Sequence, residues 1–456
     1  MAACGTNPVT YSLQENVPMK CRTLLSIALL VTMSGIAFAE LQNVEIGGNL
    51  RIRGNYFNFD SLGDSSFIEQ RTRLNFKADF TQQVSAFLEF DSYDVWGEDF
   101  RSNYLTGGDL RGSDNIDLYQ GYIEAKNLWD TPLTVRVGRQ EISLGNAWLV
   151  GVNDTSSLFY GLSFDALRIT YATDAVSIDA IAAKLAENYG DFGDGDVDFY
   201  ALYGSYLGIE DVTLDAYWMF IRDDYGLQGI IVDGTTVDLH TFGLRGSGVI
   251  GGFDFELEAA YQIGEVDGVP SGCWLGFGEG DVDYGNFGIN AEAGYTFDAR
   301  WQPRLSARFA YLGGGEDESS WYRPNDRTLP FNRLFSNVEY SEFLDDFTYD
   351  NGALSNVLVY GLGLQALVTE SLEVKLLGTY LMAENDYDLG DTLGWEVGLY
   401  GEYNYSEDLA IRAGYAHFFG DDALESTPTV WNGLRGWLGD EEDSYDYLFL
   451  ETQIGF

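Results

Sequence analysis

The sequence predicts an all-β fold, a transmembrane antiparallel up-and-down β-barrel of about 18 strands. Three observations predict it. Apolar and polar residues alternate along segments of roughly 10–14 residues, the length of tilted strands that cross a bilayer. The connections between these segments are alternately long and short, and the chain ends on an aromatic residue, Phe456.

The alternation is clearest in the segments 253–264 and 287–298. In the first of them, Phe253, Phe255 and Leu257 are separated from one another by acidic residues. Because successive side chains of a strand face opposite ways, each segment has one apolar face and one polar face. The pattern begins with a first strand expected at residues 44–57, and it predicts lipid outside the barrel and water inside it.

The alternation of long and short connections predicts the topology. An alternation of long and short connections implies that both chain ends lie on the side of the short turns. The segments 96–114, 314–355 and 420–445 are therefore expected outside, beyond the outer face of the membrane. Long connections are expected near residues 58–66, 96–114, 142–162, 187–196, 223–236, 265–284, 314–355, 385–392 and 420–445, and short ones near 82–83, 128–132, 173–175, 208–211, 249–252, 298–301, 369–371 and 405–408.

The N-terminal segment predicts export across the inner membrane. A continuous apolar run from Leu24 to Phe38 follows the basic residues Lys20 and Arg22. The run ends in an Ala-Phe-Ala sequence, which completes the layout of a secretory signal peptide.

This layout divides the chain into three parts. Residues 1–18 are expected to be an upstream extension, residues 19–39 a signal peptide cleaved after Ala39, and residues 40–456 the barrel domain. A single, unusually long leader is the alternative. After cleavage only Cys273 remains, so no intrachain disulfide is expected.

The charge balance excludes nucleic acid as a partner. The chain carries 25 Lys and Arg against 72 Asp and Glu, a net charge of −47 at pH 7, and so anionic a protein repels phosphates. Most of the acidic excess lies in the long connections. Four spaced aspartates there are candidate oxygen ligands of Ca²⁺: Asp191, Asp194, Asp196 and Asp198. A solvated acidic rim, or one that bridges divalent ions to lipopolysaccharide, is the alternative.

The basic residues are assigned to the inner face by parity. In the first strand, Ile46 and Ile52 belong to the apolar face, so Arg51 and Arg53 face the lumen. An arginine on the lipid face at mid-depth costs about 2–4 kcal/mol, which agrees with this assignment. The same parity places further arginines inside: Arg71, Arg73, Arg136, Arg168, Arg245, Arg304, Arg308 and Arg412.

Two interpretations of these inward arginines remain open. They either pair with inward carboxylates, such as Glu69, Glu256 and Glu292, and stiffen the wall, or form an unneutralised ladder that draws an anion through the pore. Catalysis is not predicted. His240 and His417 are the only histidines, and the sequence has no Gly-x-Ser-x-Gly elbow, zinc-type Cys/His spacing or phosphate loop. No cofactor is expected.

One stretch is more specific. The sequence Val135 to Gly151, which contains Gly138-Arg139-Gln140-Glu141, lies downstream of the segment 69–76, which contains Arg71 and Arg73. Over roughly residues 45–185 the chain resembles the alginate-export family of outer-membrane proteins. The resemblance implies a monomeric eighteen-stranded barrel whose arginine-lined constriction passes an anionic polysaccharide.

At Arg139 the resemblance and the alternation disagree. The resemblance places Arg139 at the pore, while simple alternation places it on the lipid face with Val135 and Val137, unless Gly138 begins a bulge that re-aims it.

The leading hypothesis is an outer-membrane channel of a Gram-negative cell for an anionic oligo- or polysaccharide or other anionic solutes. A general, weakly selective porin is one alternative. A plugged barrel that acts as a surface receptor or adhesin is another, and only 142–162 or 314–355 is long enough to form a plug. The expected partners are membrane lipid, lipopolysaccharide, the anionic solute and, through Phe456, the outer-membrane assembly machinery; the expected state is a monomer.

Overall fold

A computed structural model of the protein describes residues 42–59, 63–97, 116–154, 159–187, 196–224, 236–267, 282–317, 327–347, 354–385, 391–421 and 444–456. Residues Gln42–Phe456 form one compact unit. The predicted upstream extension and signal peptide lie outside the described residues, as does Cys273.

The described chain contains 21 strands that belong to one sheet. A short 3-10 turn (Leu128–Asp130) and the helix α1 (Glu342–Phe347) accompany them. No helix in the described segments is long and apolar enough to cross a membrane. The strands are β1 (Asn43–Phe59), β2 (Gly63–Asp79), β3 (Val84–Val95), β4 (Asp117–Ala125), β5 (Leu133–Gln140), β6 (Phe164–Ala172), β7 (Val176–Ala186), β8 (Val197–Ile209), β9 (Val212–Asp223), β10 (Thr236–Ile250), β11 (Phe253–Asp267), β12 (Val282–Tyr284), β13 (Phe287–Thr296), β14 (Arg304–Leu312), β15 (Glu316–Asp317), β16 (Arg327–Leu329), β17 (Val357–Thr369), β18 (Leu372–Ala383), β19 (Thr392–Asn404), β20 (Leu409–Gly420) and β21 (Ser444–Gly455).

Eighteen of these strands form a closed barrel, which confirms the predicted fold and strand number. Each wall strand pairs antiparallel with the next, and β1 pairs with β21 to close the sheet. The closure continues to the last residue, because Gly48 and Phe456 exchange two backbone hydrogen bonds of 3.0 Å. A Cβ on Gly48 would lie 2.4 Å from the carbonyl oxygen of Arg73 and 2.9 Å from the Phe456 ring, so only glycine fits there. The three short strands β12, β15 and β16 form a small ladder that joins the wall through pairing of β12 with β11.

The outer face of the barrel is apolar, as the alternation predicts. Ile46, Leu244, Leu257, Leu362 and Leu450 are each more than half exposed, which places them toward lipid rather than toward a protein core. Aromatic rings stack across the outer ends of neighbouring strands and form a belt of the kind found at a membrane interface; among them are Tyr200 on β8, Phe220 and Trp218 on β9, and His240 on β10.

Two connections partly fill the inside of the barrel. We call residues 141–154 and 159–163 the first inward segment, and residues 327–344 the second inward segment. A parallel bridge between Val150 and Phe335 joins them. The Trp148 ring stacks on Phe331 at 5.6 Å, and its indole Nε1 donates a hydrogen bond of 2.9 Å to the Tyr340 hydroxyl. These side chains form one core with the inner face of the wall, including Phe199 of β8.

The second inward segment selects between two expectations for the segment 314–355, a loop that stays outside the barrel and a segment long enough to enter it as a plug. Phe331, Tyr340 and Phe343 are buried, so this part of the segment enters the barrel. The physical reason is composition. The segment carries large apolar side chains, and burying each of them stabilises the fold by about 1.5–3 kcal/mol relative to leaving it in water.

Candidate functional site

Four inward arginines of β1 and β2 form the arginine cluster, which consists of Arg51, Arg53, Arg71 and Arg73. Their positions follow from alternation along two paired strands, since Arg51 lies directly opposite Arg71 in the register. None of the four is more than 3% exposed. The cluster is therefore sealed from the open part of the lumen in this conformation.

The seal is the first inward segment. Asp154 of that segment reaches three guanidinium groups, at 3.2 Å from Arg51, 2.7 Å from Arg71 and 3.0 Å from Arg73. Burial opposes ionisation of Asp154, but the hydrogen bond from Arg71 and the charges of the three arginines outweigh it, so the pKa of this carboxyl is lowered. The Asp154 carboxylate is therefore charged at neutral pH.

The ring of Phe159 completes the seal. It lies under the guanidinium carbons of Arg51, Arg53 and Arg71, which are 4.4, 5.1 and 5.8 Å from its centroid. The carbonyl oxygen of Phe159 also accepts a hydrogen bond of 3.0 Å from Arg71 Nη1. Such cation–π contacts favour a desolvated cation, which fits the burial of the cluster.

A second carboxylate supports the cluster from the wall. Glu451 of β21 lies 2.8 Å from both Arg51 and Arg53, and 2.9 Å from Arg412 of β20. Its side chain is 1% exposed. A buried ion pair adds little net stability, but removing one partner leaves an uncompensated buried charge, which is costly.

Each arginine that was expected to line the pore has a carboxylate within 4.0 Å. This arrangement corresponds to the interpretation in which the arginines stiffen the wall. Beyond the cluster, Arg136 pairs with Glu124, Arg168 with Asp179, Arg245 with Asp215 and Glu256, Arg304 with Asp254 and Glu292, Arg308 with Glu292, and Arg412 with Glu402 and Glu451.

Arg139 does not line the pore. It lies on the outer face of β5, with Val137, and makes two hydrogen bonds of 2.8 Å to Asp165, which is itself on the outer face of β6. Gly138 has a φ of +125° and a Cβ there would lie 2.3 Å from the carbonyl oxygen of Gly121, so the glycine permits close strand contact without turning Arg139 inward. The expectation from alternation is correct here, and the one from resemblance is wrong.

The lumen contains a cavity of about 500 Å³, within the size range of small-molecule sites. We call it the lumen cavity. It lies between the second inward segment, at residues 337–342, and the inner face of the strands β13 to β21. Its charged lining residues are Arg308, Lys375 and Arg412 together with Glu292, Glu339, Glu342, Glu373, Glu396 and Glu402.

Lys375 differs from the arginines around it. It lies on the inner face of β18, and it has no carboxylate within 4.0 Å in the part of the chain that the structure describes. Arg308 and Glu292 are among the nearby charges that act on it. Arg308 itself is held by Glu292 at 2.8 Å, so Lys375 is the cation of this cavity whose charge is not directly neutralised.

The second inward segment is fixed above this cavity by Glu396 of β19. The Glu396 carboxylate accepts a hydrogen bond of 2.8 Å from the Ser341 hydroxyl and others from the backbone N–H groups of Glu342 and Phe343. The height of the lumen cavity therefore depends on this contact.

The proposed Ca²⁺ ligands are only partly within the described residues. Asp191 and Asp194 lie outside them. Asp196 and Asp198 lie 3.0 and 2.8 Å from the Lys184 ammonium, which occupies the place of a cation between them. No group of three or more His, Cys, Asp or Glu side chains suited to a metal ion occurs among the described residues.

Sequence reasoning missed three functional candidates: Asp154, Phe159 and Lys375. The first two lie in or beside the connection 142–162, and its apolar run Ala147-Trp148-Leu149-Val150 is the sequence signal that this connection is buried. Lys375 has inward parity on β18, and that parity is the signal by which the sequence could identify it.

Comparisons with known proteins agree with this architecture. The sequence pattern of the family described as alginate export matches residues 42–433. Acinetobacter baumannii OccAB3 superposes with a TM-score of 0.56 at 13% identity, covering 90% of this chain and 100% of its own. Pseudomonas aeruginosa OccK8 (OprE) gives 0.53 at 15% identity, with 90% of this chain and 98% of its own covered. None of the curated proteins matches this sequence. The structural neighbours are outer-membrane porins, and at these identities the likeness concerns the fold.

Proposed function

The chain belongs to the alginate export family, and from this premise we propose that it is a passive outer-membrane channel for carboxylated oligo- or polysaccharides. That it is an outer-membrane channel follows from the family and the porin-like barrel, which are not those of enzymes. The anionic solute is the proposed part.

One observation carries the proposal, the position of Lys375 in the lining of the lumen cavity, with no carboxylate of the described residues within 4.0 Å. A cation in a pore that no carboxylate directly neutralises lowers the free energy of an anion beside it. Arg308 and Arg412 line the same cavity and supply further donors. The contacts are few and separate, which suits passage, since a conducted solute must be bound weakly enough to leave.

A general, weakly selective porin is the second candidate, and a specific observation favours it. The lining of the lumen cavity contains more carboxylates than cations, and the arginines are all paired. Under this alternative the charges stiffen the wall and the pore discriminates by size. The plugged-receptor alternative draws support from the inward segments, but they leave the lumen cavity unfilled.

Several further features of the expected biology belong to the same proposal. We propose that residues 19–39 are removed as a signal peptide, that the barrel is a monomer, and that the assembly machinery recognises the terminal strand through Phe456. The Phe456 ring is 71% exposed on the outer face, which leaves it accessible. Lipopolysaccharide is the proposed neighbour of the outer rim.

Single-channel recording tests the solute directly. The purified barrel is placed in a planar bilayer, and a uronic-acid oligosaccharide is compared with a neutral glucose oligosaccharide of the same length. The proposal predicts that the uronate interrupts the current at concentrations at which the neutral sugar does not. Equal block by both sugars would favour the weakly selective porin.

A further inference from the structure

Tyr160 of the first inward segment keeps an aromatic ring exposed inside the barrel. Among the described residues of the two inward segments, it is the one large apolar or aromatic side chain that is more than half exposed, at 60%. Its neighbour Phe159 is buried. The exposed apolar side chains of the wall, such as Leu244 and Leu362, face lipid instead. The Tyr160 ring is therefore accessible to a solute in the lumen.

The position of this ring is given by its contact with Tyr93. The two ring centroids are 4.5 Å apart, and the Tyr160 hydroxyl donates a hydrogen bond of 3.3 Å to the Tyr93 hydroxyl. Tyr93 lies on the inner face of β3, on the same side as Asp91, which pairs with Arg73. Because β3 ends two residues later, at Val95, the tyrosine pair lies toward the mouth of the barrel that carries the long connections.

The backbone holds the Tyr160 ring in this position. Its carbonyl oxygen accepts a hydrogen bond of 3.1 Å from Arg73 Nη2, and the next residue, Gly161, donates one of 3.0 Å to the carbonyl oxygen of Asn153. Gly161 has a φ of +81°, and a Cβ there would clash with Arg73 Nη2. The same turn thus buries Phe159 and presents Tyr160. A tyrosine side chain has few rotatable bonds, so little conformational entropy remains to be lost on contact with a solute.

We infer that Tyr160, backed by Tyr93, is a stacking platform for a sugar ring of the solute. The face of an aromatic ring is negative, and the face of a pyranose ring presents C–H groups whose hydrogens are weakly positive and apolar. The contact involves ring carbons rather than a carboxylate, so it is made equally by neutral and by acidic sugars. This inference rests on the proposed function, because it takes a saccharide as the solute.

The residence time of a sugar in the channel tests the inference. A uronic-acid oligosaccharide and a neutral glucose oligosaccharide of the same length are each applied in single-channel recording at the concentration at which they interrupt the wild-type current. Tyr160→Leu keeps an apolar side chain but removes the ring, so the interruptions by both sugars should become shorter by the same factor, about two- to tenfold for the loss of one aromatic contact. Tyr160→Phe keeps the ring and should retain the wild-type residence times.

The matched control is Tyr171→Leu. Tyr171 is 44% exposed on the outer face of β6, so this variant makes the same substitution outside the lumen and should leave the residence times unchanged. Residence times that Tyr160→Leu does not shorten would overturn the inference, as would an equal shortening by Tyr160→Phe. If Tyr160→Leu does not fold, Tyr160→Trp decides. Its larger ring should lengthen the residence times of both sugars, and shorter or unchanged times would overturn the inference.

The outcome is separable from that of the proposed function. Equal interruption of the wild-type current by both sugars would contradict the preference for anions, but a shortening of both by Tyr160→Leu would still support the platform. A uronate that alone interrupts the wild type, and for equal times in Tyr160→Leu, would support the anionic solute and overturn the platform. A wild-type current that neither sugar interrupts would also overturn the platform.

Discussion

The arginine cluster and the lumen cavity lie in the same barrel and both present cations to its interior, but their surroundings differ. In the cluster, an inward segment and the terminal strand bring Asp154 and Glu451 against the guanidinium groups, and the four arginines are buried. In the cavity, no carboxylate of the residues that the structure describes lies within 4.0 Å of Lys375. This difference shows that an inward-facing cation is not for that reason available to a solute. What decides is whether a carboxylate from elsewhere in the chain has been brought to it.

The largest expected effect is a loss of stability in the arginine cluster. Glu451→Gln leaves Arg51 and Arg53 buried without their shared carboxylate, and breaking a buried pair in this way costs about 3–5 kcal/mol. Equilibrium unfolding by urea in detergent micelles measures it. Asp165→Asn is the control, because its partner Arg139 is exposed and such pairs contribute about 0–1 kcal/mol. Equal losses in the two variants would break the distinction between sealed and open charges.

A smaller loss of stability, with a change of conductance, is expected where Glu396 holds the second inward segment over the lumen cavity. Glu396→Ala removes the acceptor for Ser341 and for two backbone N–H groups, and leaving buried donors unsatisfied costs about 1–3 kcal/mol. The second inward segment is then free to move, so single-channel conductance should rise. Glu402→Ala is the matched control on the same strand, since Glu402 pairs with Arg412 and does not contact the segment. A rise in conductance with Glu402→Ala but not with Glu396→Ala would contradict the expectation that Glu396 fixes the second inward segment.

The two sites also show how much of the fold and of the candidate site can be predicted from the sequence. Alternation and the rhythm of connections are local properties, and they are enough to predict 18 strands and the inward faces of Arg51 and Arg71. Which carboxylate reaches an inward arginine depends on contacts between residues far apart in the chain, such as Arg71 with Asp154 or Arg53 with Glu451. The alternation of apolar and polar residues carries no information about those contacts. The length of the segments 142–162 and 314–355 allows a plug to be predicted, but their contacts with the wall, such as Asp154 with Arg71, are not predictable from length or composition.

The smallest effect is expected from pH. The pKa of Asp154 is depressed below its ordinary value of 3.8, so its contribution to stability is fully present above that value and is lost only as the pH falls through the lower, folded-state pKa. The difference in unfolding free energy between the wild type and Asp154→Asn should therefore stay constant from pH 8 to about pH 5. Thermal or urea unfolding at several pH values checks this. A difference that shrinks already between pH 7 and pH 5 would mean that Asp154 is not held by the three arginines.

We expect that Lys375 in the lumen cavity, rather than the buried arginine cluster, sets the charge preference of the pore. Reversal potentials across a KCl gradient, recorded for the wild type, Lys375→Gln and the matched variant Lys77→Gln, test it most directly. Lys77 is the control because it already pairs with Glu45 at 3.2 Å. The account predicts that the wild type favours chloride, that Lys375→Gln shifts the potential toward that of potassium, and that Lys77→Gln leaves it near the wild-type value. A potential that does not move with Lys375→Gln, or a wild-type channel that already favours potassium, would contradict the claim.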